Sequence, residues 1–79
     1  MKLATSEREL ATKTARFLKA EMKRAGVTYV QLADRLKEHG MAETEASITS
    51  KLARGTFAAT FFLAALAALE IEGLRIEDL

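Results

Sequence analysis

Thr28-Tyr29-Val30-Gln31-Leu32-Ala33-Asp34-Arg35-Leu36 and, beyond a turn, Ser50-Lys51-Leu52-Ala53-Arg54-Gly55 decide how this chain folds. The first stretch opens on Thr28-x-x-Gln31, a capping box in which hydroxyl and carboxamide each satisfy a backbone N–H that the helix leaves free. Val27 and Leu32 have the spacing of the apolar staple that fixes the entry angle. The second stretch closes on an arginine and a glycine, side chains that suit the negative end and the left-handed stop of a helix. Two short helices held across a turn are a common way to push one helix into the major groove of DNA.

Outward from this pair, the chain reads as helical throughout. It has 79 residues, no proline and four glycines, Gly26, Gly40, Gly55 and Gly73, each following a helix-like run and expected to stop it. Strand-like alternation is absent, so the expected fold is all-α, a compact bundle of four to five helices in one domain, 1–79, with 1–5 as a flexible arm. The first helix starts at the capping box Ser6-x-x-Glu9 and runs to about Ala25. Leu10, Ala11, Thr14, Phe17, Leu18, Met22 and Ala25 share one of its faces; Arg8, Lys13, Arg16, Lys19, Lys23 and Arg24 form a basic stripe on the other. The second helix fades near His39-Gly40. The third opens near Thr44 and turns Ile48 and Leu52 inward, assisted by Thr49 and Ala53, with Ser47, Ser50, Lys51 and Arg54 outward. The fourth, about Phe57 to Glu70, is apolar all round except for Thr60, and such a helix must be covered on more than one side. A 79-residue chain has little material to cover it: either the tail Ile71 to Ile76 folds back over it or a second copy does, and the preferred expectation is a homodimer with Phe57, Phe61, Phe62, Leu63 and Leu66 at its interface.

Charge and composition narrow the function classes. The net charge of +1 hides a gradient: residues 1–26 carry seven bases against three acids, 27–55 are balanced at four each, and 56–79 carry one base against four acids. A basic end suits an anionic partner, although a solubilising charged face has the same composition. There is no cysteine, so disulfides and thiolate metal sites are excluded. The longest apolar stretch, Phe57 to Leu69, falls short of the roughly 20 residues of a membrane span, and a cytoplasmic, nucleoid-associated location is expected. The single histidine, His39, has no cysteine partner and no paired acid at metal spacing, and its expected role is to cap a helix end. Ser47, Thr49 and Ser50 have no general base near them in sequence. No catalytic residue, metal ligand or cofactor is expected, and the chain does not read as an enzyme.

These motifs resemble the Cro/C1-type (XRE-like) helix-turn-helix repressors. Thr28, Leu32-Ala33 and Leu36 match the first helix of that pattern, Ser50-Lys51-Leu52-Ala53-Arg54-Gly55 the end of the second, and Leu74 to Leu79 the closing segment. Gly26-Val27-Thr28-Tyr29 and the block Lys51 to Phe62 are also similar to a family of short, uncharacterised bacterial proteins with a GVTY…KxARGTFxAxFF pattern. Two departures stand out from the repressor pattern. The connection Lys37 to Glu43 is about three residues longer than the usual turn, and Ala53 stands where an acid, and Tyr29 where a contacting glutamine, is usual.

The repressor likeness implies a homodimeric, sequence-specific regulator of transcription that binds double-stranded DNA. Helix 44–54 would enter the major groove, with Ser47, Ser50 and Lys51 on bases and Arg54 on bases or backbone. Tyr29, Gln31, Lys37 and Thr44 complete the expected contacts, and Glu45 would accept from a cytosine amine. Glu43 and Glu45 suit the helix dipole but repel phosphate. The alternative is a protein-interaction module that uses the apolar fourth helix to bind another protein.

Overall fold

The computed structural model describes all residues, 1–79, as an all-helical bundle. Its helices are α1 (Glu7–Ala25), α2 (Tyr29–Leu36), α3 (Glu45–Arg54) and α4 (Ala59–Ala68), with short 3-10 turns at Lys37–His39 and Ile76–Asp78.

Local hydrogen bonds fix where the first three helices begin. The Ser6 hydroxyl accepts from the Glu9 N–H, but the Glu9 carboxylate turns to the Thr5 hydroxyl at 2.6 Å instead of closing the box. That bond holds its carboxyl below the ordinary glutamate value. At α2 the box is complete: Gln31 N–H donates to Thr28 Oγ1 at 3.1 Å and Thr28 N–H to Gln31 Oε1 at 2.8 Å. Val27 and Leu32 are both buried beside it, as the staple requires. At α3 a box absent from the sequence reading joins Thr44 to Ser47, N–H to hydroxyl in both directions. α4 has no side-chain cap.

Three helical segments stop by one device, the Schellman motif, in which two N–H groups beyond the helix reach back to its last free carbonyls. Val27 N–H donates to Met22 O, Met41 N–H to Leu36 O and Ile71 N–H to Leu66 O, so each stop lays an apolar side chain against the core. The left-handed residue is Gly26, then Gly40, then Glu70 at φ 62°. Gly73, expected to end the fourth helix, has no positive φ, and Glu70 holds the turn in its place. Likewise the close of α2 is built by the Gly40 N–H on Lys37 O, while His39 is exposed and caps nothing.

Leu18, Leu32, Leu36, Ile48, Leu52 and Phe61 are the fully buried centre. α2 lies against both α3 and α4, and α1 crosses α3. At that crossing Gly55, itself buried, sits so close to α1 that a Cβ would lie 2.8 Å from the Ala11 carbonyl oxygen. Thr49, Ala53 and Ala25 face solvent rather than the core, whereas Ala15 of α1 is buried. Leu3 and Ala4 are half-buried and Lys13 Nζ donates to the Leu3 carbonyl at 2.6 Å, so the expected arm is tied back to α1.

α4 corrects the expected dimer surface. Phe61 and Leu66 are 1% and 7% exposed inside the chain's own core, and neither is free to face a second copy. Phe57 and Phe62 are half-buried; Phe57 meets Phe61 edge-on and Phe62 packs against Phe17 of α1. The outer face is Ala59, Thr60, Leu63 and Ala67, so only Leu63, 63% exposed, presents a large apolar group. Alanines counted as apolar make the helix look uncovered, yet each exposes little area and one surface leucine is ordinary. Burial therefore demands no second copy. The radius of gyration, 12.2 Å, is close to the roughly 12 Å of one compact chain of this length. No single helix is long and apolar enough to cross a membrane.

Candidate nucleic-acid interface

The residues expected to meet DNA divide into three groups. The first is consumed by helix starts. The Gln31 carboxamide and the Thr44 and Ser47 side chains are engaged in the capping boxes of α2 and α3, and Ser47 Oγ also donates to Glu43 Oε1 at 2.6 Å. Tyr29 is half-buried, its ring packed against the core. Gln31, Thr44 and Ser47 each have a local partner that they would have to leave to meet DNA.

The second group is neutralised. Lys51, expected on bases, points back along α3 and donates to Glu43 Oε1 at 3.0 Å, with its ammonium 5.5 Å from the Phe61 ring centre. The Glu43 side chain is only 8% exposed and that of Lys51 26%, so the pair is largely withdrawn from water. Burial pushes the Glu43 carboxyl up, but the Ser47 and Lys51 hydrogen bonds and the Lys51 charge outweigh it and hold it below its ordinary value. Lys37 pairs with Asp34 at 3.6 Å, exposed on both sides, and shares a depression with Gln31, Glu43 and Glu45. With Asp34 and Arg35 that depression holds three acids against two bases, a poor site for phosphate. Glu45 itself is exposed in the first turn of α3.

The third group stands free at the far end of α3. Arg54 is exposed, and its guanidinium donates to Ser50 Oγ at 3.1 Å and to the Thr56 carbonyl at 3.5 Å. These neutral acceptors hold the group in place and leave its charge uncompensated. Because α1 crosses α3 here, Arg16 and Lys19 line one depression with Arg54, and Arg8 lines the adjoining one with Arg54, Thr12, Thr56 and one acid, Glu7. The chain's ion pairs, Glu21–Arg24, Asp34–Lys37, Glu43–Lys51 and Glu77–Arg75, leave Arg8, Arg16, Lys19 and Arg54 without a carboxylate partner. All four are exposed.

Of the nine expected residues, then, the structure joins Ser50 with Arg54 on this surface and draws Ser47 and Lys51 to Glu43. It adds three that were not among them, Arg8, Arg16 and Lys19. Their signal was present as the basic stripe of the first helix; what linear reading lacks is the crossing that sets this stripe beside Arg54.

No curated protein and no solved structure matches the chain. A family model covers residues 5–74, from the turn before α1 to the segment after α4, and so includes every residue of the cationic surface. The chain belongs to that family, described as a domain of unknown function (DUF6471).

Proposed function

We propose that the chain binds double-stranded DNA, as a regulator of transcription and not as an enzyme, through the surface shared by α1 and the C-terminal end of α3. One observation carries this: four cations without carboxylate partners, Arg8, Arg16, Lys19 and Arg54, meet around one helix crossing. Such groups release counterions when they meet phosphate, and guanidinium is the better of the two cations for bidentate contact. Thr12 and Thr56 add hydroxyls of the kind that contact backbone oxygens. Sequence reading falls to the exposed side of α3 beside this surface, Thr49 and Ser50 together with Arg54. The exposed Glu45 at the other end of the helix disfavours phosphate there, so the duplex would lie towards Gly55. A homodimer enters through Leu63 and the half-buried Phe57 and Phe62, the members of the expected interface that retain surface.

The test is binding of the purified protein to labelled duplexes at several salt concentrations. Affinity should fall steeply with salt, and the double variant Arg16→Ala, Arg54→Ala should lower both the affinity and the salt slope, the latter by about 0.9 for each phosphate no longer neutralised. An affinity indifferent to salt, or unchanged in the double variant, refutes the assignment. A second reading would use the one large apolar side chain that α4 exposes, Leu63, which sits among Ala59, Thr60 and Ala67. It makes the chain a protein-interaction module, and predicts that Leu63→Ser abolishes a heterocomplex that the double variant retains.

A further inference from the structure

On the side of α1 away from α3 lies a cleft of about 620 Å³, walled by α1 and by the segment 71–79. It is a groove open to solvent, and its volume falls within the roughly 300–1,000 Å³ of small-molecule sites. We propose that it binds a small monoanionic amphiphile, a carboxylic acid with an apolar body, with the acid group on Arg16 and the body between Phe17 and Ala20 on one wall and Ile71 and Leu74 on the other.

The cations along the cleft are not equivalent. Lys13 is committed to the Leu3 carbonyl at 2.6 Å and Arg24 to Glu21 at 2.8 Å, which leaves Arg16 as the guanidinium without a partner. Glu21 and Asp78 line the same cleft, so each further negative charge on a ligand adds repulsion, and a single carboxylate on Arg16 meets the least. Two of the apolar groups are anchored. Phe17 is held by Phe62 at a ring separation of 6.4 Å, and Ile71 is fixed by the Schellman bond to Leu66 O at 2.9 Å. Ala20, with a single methyl, leaves room in the cleft, and the space beside Gly73 is open, with nothing within 4 Å of a Cβ built there. An acid placed here exchanges apolar area with water while its charge keeps a charge-assisted hydrogen bond. Arg16 also lines the depression at the α1–α3 crossing, so the acid would compete with phosphate for one guanidinium. That competition rests on the proposed function; the binding itself does not.

The experiment is titration of the ¹⁵N-labelled full chain with decanoate and with 4-phenylbutyrate, alkyl and aryl versions of the same chemistry, and with decanol as the uncharged control. Saturable amide shifts are expected at Ala20, Ile71, Gly73 and Leu74 with at least one of the acids, and the acid that saturates identifies the body the cleft takes. Arg16→Gln should weaken that acid by about tenfold, the worth of a hydrogen bond to a charged group. Ala20→Phe, at an exposed position, should fill the cleft and block binding while the circular dichroism spectrum stays native. No saturable shift with either acid, decanol binding as tightly as decanoate, or full affinity in Arg16→Gln overturns the proposal.

Discussion

Replacing Gly55 with alanine loads the α1–α3 crossing, and two other glycines in the chain supply the control. Gly26, Gly40 and Gly55 share a left-handed backbone, with φ of 70°, 76° and 75°. An L side chain there costs about 1–2 kcal/mol, partly offset because alanine has less freedom to lose than glycine. At Gly26 and Gly40 nothing lies within 4 Å of the new Cβ, so the net loss should be about 1 kcal/mol. At Gly55 the same atom would meet the Ala11 carbonyl oxygen at 2.8 Å, its carbon at 3.0 Å and its Cβ at 3.2 Å. Two of these are backbone atoms of a helix and cannot swing aside. Overpacking of that kind adds about 1–3 kcal/mol, for a total of about 2–4 kcal/mol. A chain of this size holds roughly 4–12 kcal/mol of stability, so the Gly55 variant should lose a large part of it. Urea unfolding followed by circular dichroism at 222 nm gives the three differences directly. Ala11→Gly in the Gly55→Ala background should not restore stability, because the nearest obstacle is main chain. Equal losses at Gly55 and Gly26, or rescue by Ala11→Gly, would show that the crossing is not set by backbone contact.

Other substitutions probe the remaining devices. The Glu43 carboxyl is held below its ordinary value of 4.5, so the stability it contributes is complete above that pH and is lost as the pH falls through the lower folded-state value. Glu43→Gln should therefore flatten the acid limb of a stability–pH curve, and an unchanged limb would remove the Lys51–Glu43 pair as its cause. Lys51→Ala strands a carboxylate only 8% exposed and should cost on the order of 1–3 kcal/mol in a urea titration. Its effect on DNA affinity, measured where the variant is fully folded, should be smaller than that of Arg54→Ala. Glu70→Gly relieves a left-handed L residue at the stop of α4 and should stabilise by on the order of 1 kcal/mol; a lower melting temperature would mean that the Glu70 side chain makes a contact outweighing its backbone strain.

Much of this fold was legible because its signals act over three to five residues. Thr28 and Gln31, or Gly26 and Val27, meet their partners within one turn, so the start of α2 and the end of α1 can be read along the chain. Glu70 escaped notice because glycine is the expected left-handed residue, and Gly73 lay close enough to be taken for it. The fate of α4 depended on how much area alanine leaves uncovered, a quantity that the wheel of Phe61, Leu63 and Leu66 does not contain. Lys51 and Glu43 pair across eight positions, from the last turns of α3 to the residue before its N-cap, and nothing in periodicity marks that contact. The cationic surface was half legible. Arg8, Arg16 and Lys19 are visibly one stripe of α1, but Arg54 joins them only through the close approach at Gly55.

The three Schellman stops also bear on how fast the chain folds. Each joins residues five apart, Met22 to Val27, Leu36 to Met41 and Leu66 to Ile71, so it closes on the timescale of a single helical turn and sacrifices little loop entropy. Each reversal thus forms together with the helix it ends, and the search that remains is for the docking of short, already terminated rods. Chains dominated by such near-neighbour contacts refold in microseconds to milliseconds. In this one the slowest element of assembly should be the seating of α1 across α3 at Gly55, where the partners are far apart in sequence and the tolerance is narrowest.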